Sequence, residues 1–317
     1  MSAEANANPK RPAAGIVDYL SNGFTPDRRA VWDGAIAATG VQVKVRRDDT
    51  DSFTDPEAMV DRMDELGVAT LLLCTGDVGH HGQTDPFDFE HIAARWAETE
   101  SLSTKWPGRF AALALIDPEQ GMAGVRELRA HLAEPWVVGC YIHTHSWDRR
   151  LDHADYYPSY AACAEAGVPV AMQTGTSGGL MASECGRPIG IDRAALYFAD
   201  TRFLLSHLGW PWVDEAIAMA LKFPNVYLGT GAYPPRHWPA VVTDFLRGPG
   251  RQKVVFGTNF PTVGHRHALA QVDELGLDDE VSRSLLGDTA RTVFTRITAT
   301  PTAHKPTSPT KAGGASA

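Results

Sequence analysis

The stretch Phe203-Leu204-Leu205-Ser206-His207-Leu208-Gly209-Trp210-Pro211-Trp212 decides the fold. A short apolar run is broken by Gly209 and Pro211, and a helical spacing of apolar residues begins at Val213. The run therefore reads as a buried strand and the segment after it as a helix. His207 falls where a parallel strand ends and its βα loop begins, the usual place for chemistry in α/β proteins. Working outward, the same alternation repeats. Strands are expected over 15–20, 68–74, 110–116, 137–143, 168–173, 203–207, 226–229 and 253–257. Helices are expected over 55–66, 89–102, up to about 132, 156–165, 192–198, up to about 223, and 238–246, with further helices to about 297. Gly67 closes the first of these as a C-terminal glycine should. Eight such units predict an α/β fold of the (β/α)8 TIM-barrel type over residues 15–297. A doubly wound open sheet is the alternative, but no GxGxxG follows the first strand. Residues 1–14 and 298–317, rich in Ala, Asn, Pro, Thr and Gly, read as disordered tails.

The bulk composition narrows the function. A net charge of −9 without a basic cluster excludes a nucleic-acid or anionic-membrane surface. Hydrophobic content of 44% suits a soluble protein with a sizeable core. The four cysteines lack CxxC spacing and suggest neither a disulfide framework nor a zinc knuckle. No window is long and apolar enough for a signal peptide or a membrane span, so a cytoplasmic protein is expected. The expected partner is a small-molecule substrate.

In a barrel the loop-side strand ends line one mouth. Here they carry Asn22, Thr75, Asp77, Asp117, His143, His145, Gln173, His207, Thr230, Tyr233, Thr258 and Asn259. Three passages then bring a resemblance: VVGCYIHTHSWDRRLDHADYYPSYAACAEAGVPVAMQTG, FADTRFLLSHLGWPWVDEAIAMALKFPNVYLGTGAY and KVVFGTNFP, closed by LLGDTARTVF. In this order they resemble the amidohydrolase-related branch of the amidohydrolase superfamily, which contains metal-dependent hydrolases and decarboxylases on a TIM barrel. The resemblance spans roughly residues 15–297 and implies a homo-oligomer. It also exposes departures. The family's Asp-x-His-x-His on strand one is Asp18-Tyr19-Leu20-Ser21-Asn22 here. The strand-five histidine position holds Gln173, the strand-eight aspartate position holds Asn259, and the strand-six histidine is retained as His207.

Leucine cannot ligate a metal, and neutral amide oxygens are weak ligands for a borderline cation. A metal-independent pocket without a cofactor is therefore expected. The competing route is a divalent metal such as zinc held by His143, His145 and His207. His143 and His145 share a face only if strand four persists that far; otherwise His143 is a packing residue and His145 a loop residue. His207, with an ordinary pKa near 6.5, is the expected proton carrier. Gln173 and Asn259 are the other catalytic candidates, and Asn22 joins them in orienting a carboxylate or carbonyl. Tyr233 and Trp212, with Trp210, could wall an aromatic substrate or simply pack. Arg46, with Lys44 and Arg47, could bind an anion or stand solvated in a loop; His80, His81 and Asp77 have the same two readings. Asp18 reads as a buried structural carboxylate. Ser177 lacks the GxSxG spacing of a nucleophile elbow. The expected activity is hydrolysis or decarboxylation of a small organic acid, lactone or amide. A catalytically inactive relative that binds a small molecule or a partner subunit is the alternative.

Overall fold

The structure, a computed structural model, describes residues 8–29, 53–75, 89–178 and 180–297. Its centre is one sheet of eight parallel strands hydrogen-bonded in sequence order. These are β1 (Ile16–Ser21), β2 (Val68–Cys74), β3 (Phe110–Leu115), β4 (Val137–Ile142), β5 (Val170–Met172), β6 (Phe203–Leu205), β7 (Val226–Gly229) and β8 (Val254–Val255). The main helices between and after them are α1 (Pro56–Leu66), α2 (Phe89–Lys105), α3 (Gly121–Leu132), α4 (Tyr157–Ala166), α5 (Asp192–Tyr197), α6 (Val213–Lys222), α7 (Ala240–Arg247) and α8 (His265–Glu274). This is the (β/α)8 barrel. The β8–β1 seam is closed by Tyr19 N–H donating to the Phe256 carbonyl at 3.1 Å, Asn22 N–H to the Phe260 carbonyl at 2.8 Å, and a bridge between Ser21 and Phe260.

Alternation along each strand sorts the core into two layers. Val17, Tyr19, Leu72, Leu113, Val138, Ala171, Leu204 and Val255 form the inner cluster, floored by Val293 and Phe294. Phe203 and Leu205, on either side of Leu204, belong to the outer layer against the helices. Tyr19 occupies the barrel axis because two facing positions are glycine: a Cβ at Gly229 would stand 2.3 Å from its hydroxyl, and one at Gly257 2.4 Å from its ring. α1 shows how the sequence writes its own limits. Asp55 caps it by accepting from Ala58 N–H, Pro56 occupies the first turn, and Gly67 ends it at φ 71°.

Several strands are shorter than expected. β4 stops at Ile142, so His143 and His145 do not alternate on a strand; His143 leads into the helical turn Thr144–Trp147. β5 begins after Pro169, which has no N–H for a ladder. β6 ends at Leu205, two residues before His207. Residues 8–14, in the stretch read as an N-terminal tail, are tied to the barrel by Arg11, paired with Asp273 at 3.0 and 2.8 Å, and by the Pro9 carbonyl accepting from Arg283 at 2.7 Å.

The face opposite the mouth is a stability face, where helix C-termini present unpaired carbonyls. Arg296 donates to Leu132 O (2.8 Å), Val137 O (3.0 Å) and Ala166 O (3.0 Å), so one guanidinium caps both α3 and α4. Lys253 does the same for Phe223, Pro224 and Val226 O, at 2.9, 2.9 and 3.1 Å. Hydrogen bonds to charged groups and the helix dipole both favour this placement. Arg296→Met is expected to lower unfolding free energy in urea by about 2–4 kcal/mol; a loss under about 1 kcal/mol would show the carbonyls to be adequately served by water.

Candidate functional site

The candidate residues sit at the carboxyl ends of the strands, and backbone conformation places the most important of them. After β6 the chain runs through Ser206–Gly209 with His207 at φ 59°, Leu208 at φ 54° and Gly209 at φ 65°. Two successive non-glycine residues in the left-handed region cost on the order of 1–2 kcal/mol each. The surroundings compel it. Leu208 is driven into the core, and the Trp210 N–H closes the turn on the His207 carbonyl at 3.1 Å. The Trp210 carbonyl in turn accepts from Thr176 N–H at 2.9 Å. Gly175, at φ 81°, is obligatory there, since a Cβ would lie 2.2 Å from the Trp210 carbonyl oxygen.

His207 is only 5% exposed, and its Nδ1 has no hydrogen-bond partner. Burial, reinforced by nearby His145, pushes its pKa down to about 3. The ordinary value expected from sequence does not hold: His207 is neutral at neutral pH. His145 is also held below its usual range by burial. Its Nε2 donates to the Gly175 carbonyl at 2.9 Å, which leaves Nδ1 as a bare, buried lone pair without a partner. His143 Nδ1 lies 2.8 Å from Ser146 Oγ, and its ring is 5.7 Å from that of His145.

The three amides are positioned by backbone and side-chain contacts. Gln173 follows β5 directly, and its Oε1 accepts the Tyr141 hydroxyl at 2.5 Å while Thr144 Oγ1 donates to its carbonyl. That leaves the Gln173 Nε2 hydrogens available to another acceptor. Across the barrel, Asn22 Nδ2 donates to Asn259 Oδ1 at 2.8 Å and to the Phe260 carbonyl at 3.2 Å. Asn259 is itself left-handed, at φ 54°.

Tyr233, in the loop after β7, hydrogen-bonds Thr176, and its ring lies 5.7 Å from Trp210. The Arg187 guanidinium sits 5.6 Å from the Trp212 ring and is ion-paired with Glu215. Arg46, Lys44, Arg47, Asp77, His80 and His81 lie outside the described residues. Asp18 is fully buried, as expected. Sequence reasoning missed two neighbours, Tyr141 and His265. Both read as ordinary residues, Tyr141 in an apolar strand and His265 at a helix start, and no spacing signalled either.

A family profile described as amidohydrolase matches residues 94–296. The chain belongs to this amidohydrolase family. No curated protein matches it. Among solved structures it is similar to an uncharacterized TIM-barrel protein from Bordetella bronchiseptica, at 21% identity and TM-score 0.69 over 89% of this chain and 99% of that one. It is also similar to a 5-carboxyvanillate decarboxylase from Novosphingobium aromaticivorans, complexed with manganese and 4-hydroxy-3-methoxy-5-nitrobenzoic acid (14% identity, TM-score 0.66, covering 90% and 98%). A third is a dihydroxybenzoic acid decarboxylase from Polaromonas with bound manganese and 2-nitroresorcinol (17%, TM-score 0.62, 90% and 98%).

These manganese-bound decarboxylases overturn the expectation of a cofactor-free, metal-independent pocket. The described part of this amidohydrolase does not by itself supply a matching donor set. Among the described residues no three His, Cys, Asp or Glu side chains are grouped to hold a metal ion. His143 Nδ1 and His145 Nε2 are engaged by Ser146 and Gly175. Asn22, Gln173 and Asn259 bring amide oxygens, which suit a hard cation better than a borderline one but carry no formal charge to offset it. Among the described residues, no helix is long and apolar enough to cross a membrane.

Proposed function

We propose that this amidohydrolase is an enzyme that decarboxylates a small organic acid at the mouth of its barrel. One observation carries the reading: His207 is held uncharged, buried and left-handed at the end of β6, on the same rim as Gln173 and Asn259. Strain and a displaced pKa of this kind gather at functional sites. The amides supply orientation. Gln173 Nε2 donates to a carboxylate oxygen of the substrate, and Asn22 with Asn259 fixes its far side by neutral hydrogen bonds.

His207 supplies the proton. With only burial and His145 acting on it, it is too weak a base to carry one, but a carboxylate brought beside it favours its charged form and raises its proton affinity. The imidazolium then protonates the carbon bearing the carboxylate. The carbon–carbon bonding pair stays with that carbon as carbon dioxide leaves. Decarboxylation is favoured over hydrolysis because two of the solved structures it resembles are decarboxylases bound to benzoate-like or phenolic ligands.

The test is carbon dioxide release from purified protein, with manganese in the buffer, against hydroxybenzoates, short aliphatic acids, lactones and amides. Saturable release from a carboxylic acid is the expected result. Turnover confined to lactones or amides would replace decarboxylation by hydrolysis. Binding of an acid in calorimetry with no turnover of any compound would make the chain a binding protein.

A further inference from the structure

The buried carboxylate of Asp18 has no part in that chemistry, yet it accepts four hydrogen bonds. Its Oδ1 accepts from Leu20 N–H at 3.1 Å and Thr258 N–H at 3.0 Å. Its Oδ2 accepts the Thr258 hydroxyl at 2.5 Å and His265 Nε2 at 2.9 Å. A carboxylate offers about four lone-pair sites, and all are filled by donors. Asp18 and His265 are both essentially without solvent contact.

What this cluster holds is the segment that carries Asn259. Thr258 Oγ1, having given its hydrogen to Asp18, accepts from Phe260 N–H at 3.1 Å. The Phe260 ring stacks on the His265 imidazole, with centroids 4.7 Å apart and planes 14° apart. Asn259 is thus fixed on both flanks, in a left-handed conformation that is unfavourable by itself. The Phe260 carbonyl and the Asn259 amide together receive Asn22. The seam between β8 and β1 has only the sparse backbone pairing described above, so the carboxylate takes the place of a ladder there.

We propose that Asp18 and His265 are positioning residues, which together hold Asn259, and through it Asn22, in place on the rim of the barrel. The proposal deepens the functional reading, since it names what orients two of its substrate-binding amides. Its structural arm stands without that reading.

The experiment uses full-length protein labelled with 15N-asparagine, in which side-chain amide signals report Asn22 and Asn259 directly. In His265→Leu, which removes one donor from Asp18, those two signals are expected to shift and their hydrogens to exchange with solvent about ten-fold faster. In His265→Gln, whose amide N–H can replace the imidazole donor, they are expected to return to the parent positions. Thr258→Val, close in shape but without the hydroxyl, is the second route should His265→Leu fail to fold, and is expected to shift the same signals. Unchanged Asn22 and Asn259 signals in a folded His265→Leu or Thr258→Val overturn the proposal. With a substrate in hand, kcat is expected to fall about 10- to 100-fold in His265→Leu, with KM within about two-fold, and to recover in His265→Gln. Shifted amides with unchanged turnover would leave the positioning intact and sink the role of these amides in catalysis.

Discussion

Replacing His207 by asparagine is expected to lower kcat by about 10²- to 10⁴-fold, the usual contribution of a positioned proton carrier, while unfolding free energy stays within about 1 kcal/mol of the parent. The two halves rest on different physics. Activity falls because an amide has no proton to move near neutral pH. Stability holds because three effects nearly cancel. Asparagine tolerates the left-handed φ of 59° at this position better than most non-glycine residues. The substitution also removes a buried imidazole whose Nδ1 has no partner, a desolvation cost of about 1–3 kcal/mol. Against this, the smaller side chain leaves a cavity costing about 1–2 kcal/mol. Steady-state kinetics and urea unfolding on one preparation check both. Parent-level turnover would remove His207 from the mechanism. Intact turnover with a stability loss above about 3 kcal/mol would make it a packing residue.

The barrel was legible because its signals are local. Apolar runs bounded by glycine and proline mark each strand, and residues such as Asp55 and Gly67 mark the ends of a helix. Strand ends were read less well where a distant contact decides them. β8 was expected over 253–257 but covers Val254–Val255, because Phe256 turns to donate its N–H to the Leu285 carbonyl at 3.0 Å and to accept from Tyr19. The candidate site reads from the sequence as a set of strand-end positions, and not as chemistry. Positive φ at His207, Leu208 and Asn259 is imposed by packing on residue types that do not announce it. The pairing of Asp18 with His265 joins residues 247 positions apart, beyond any periodicity. The depressed pKa of His207 depends on burial and on His145, neither of which a spacing reveals.

That same depressed pKa contributes to the acid response of the fold. In the unfolded chain His207 takes up a proton near pH 6.5, whereas in the folded protein it resists until about pH 3. Between these values the unfolded state binds more protons, so stability must fall as pH is lowered through the window. Two pH units below 6.5 correspond to about 3 kcal/mol from His207 alone, and His145, shifted in the same direction, adds to it. Urea midpoints measured from pH 7 to pH 4.5 are expected to show this loss, and His207→Asn to recover about 3 kcal/mol of it at the acid end. Parallel curves for parent and variant would show that His207 is not held neutral. The linkage also runs through the ligand. A carboxylate that raises the proton affinity of His207 must bind with proton uptake, and therefore more tightly as the pH falls from 7. Calorimetry in two buffers of different ionisation enthalpy measures that uptake, and a value of zero would separate acid binding from His207 altogether.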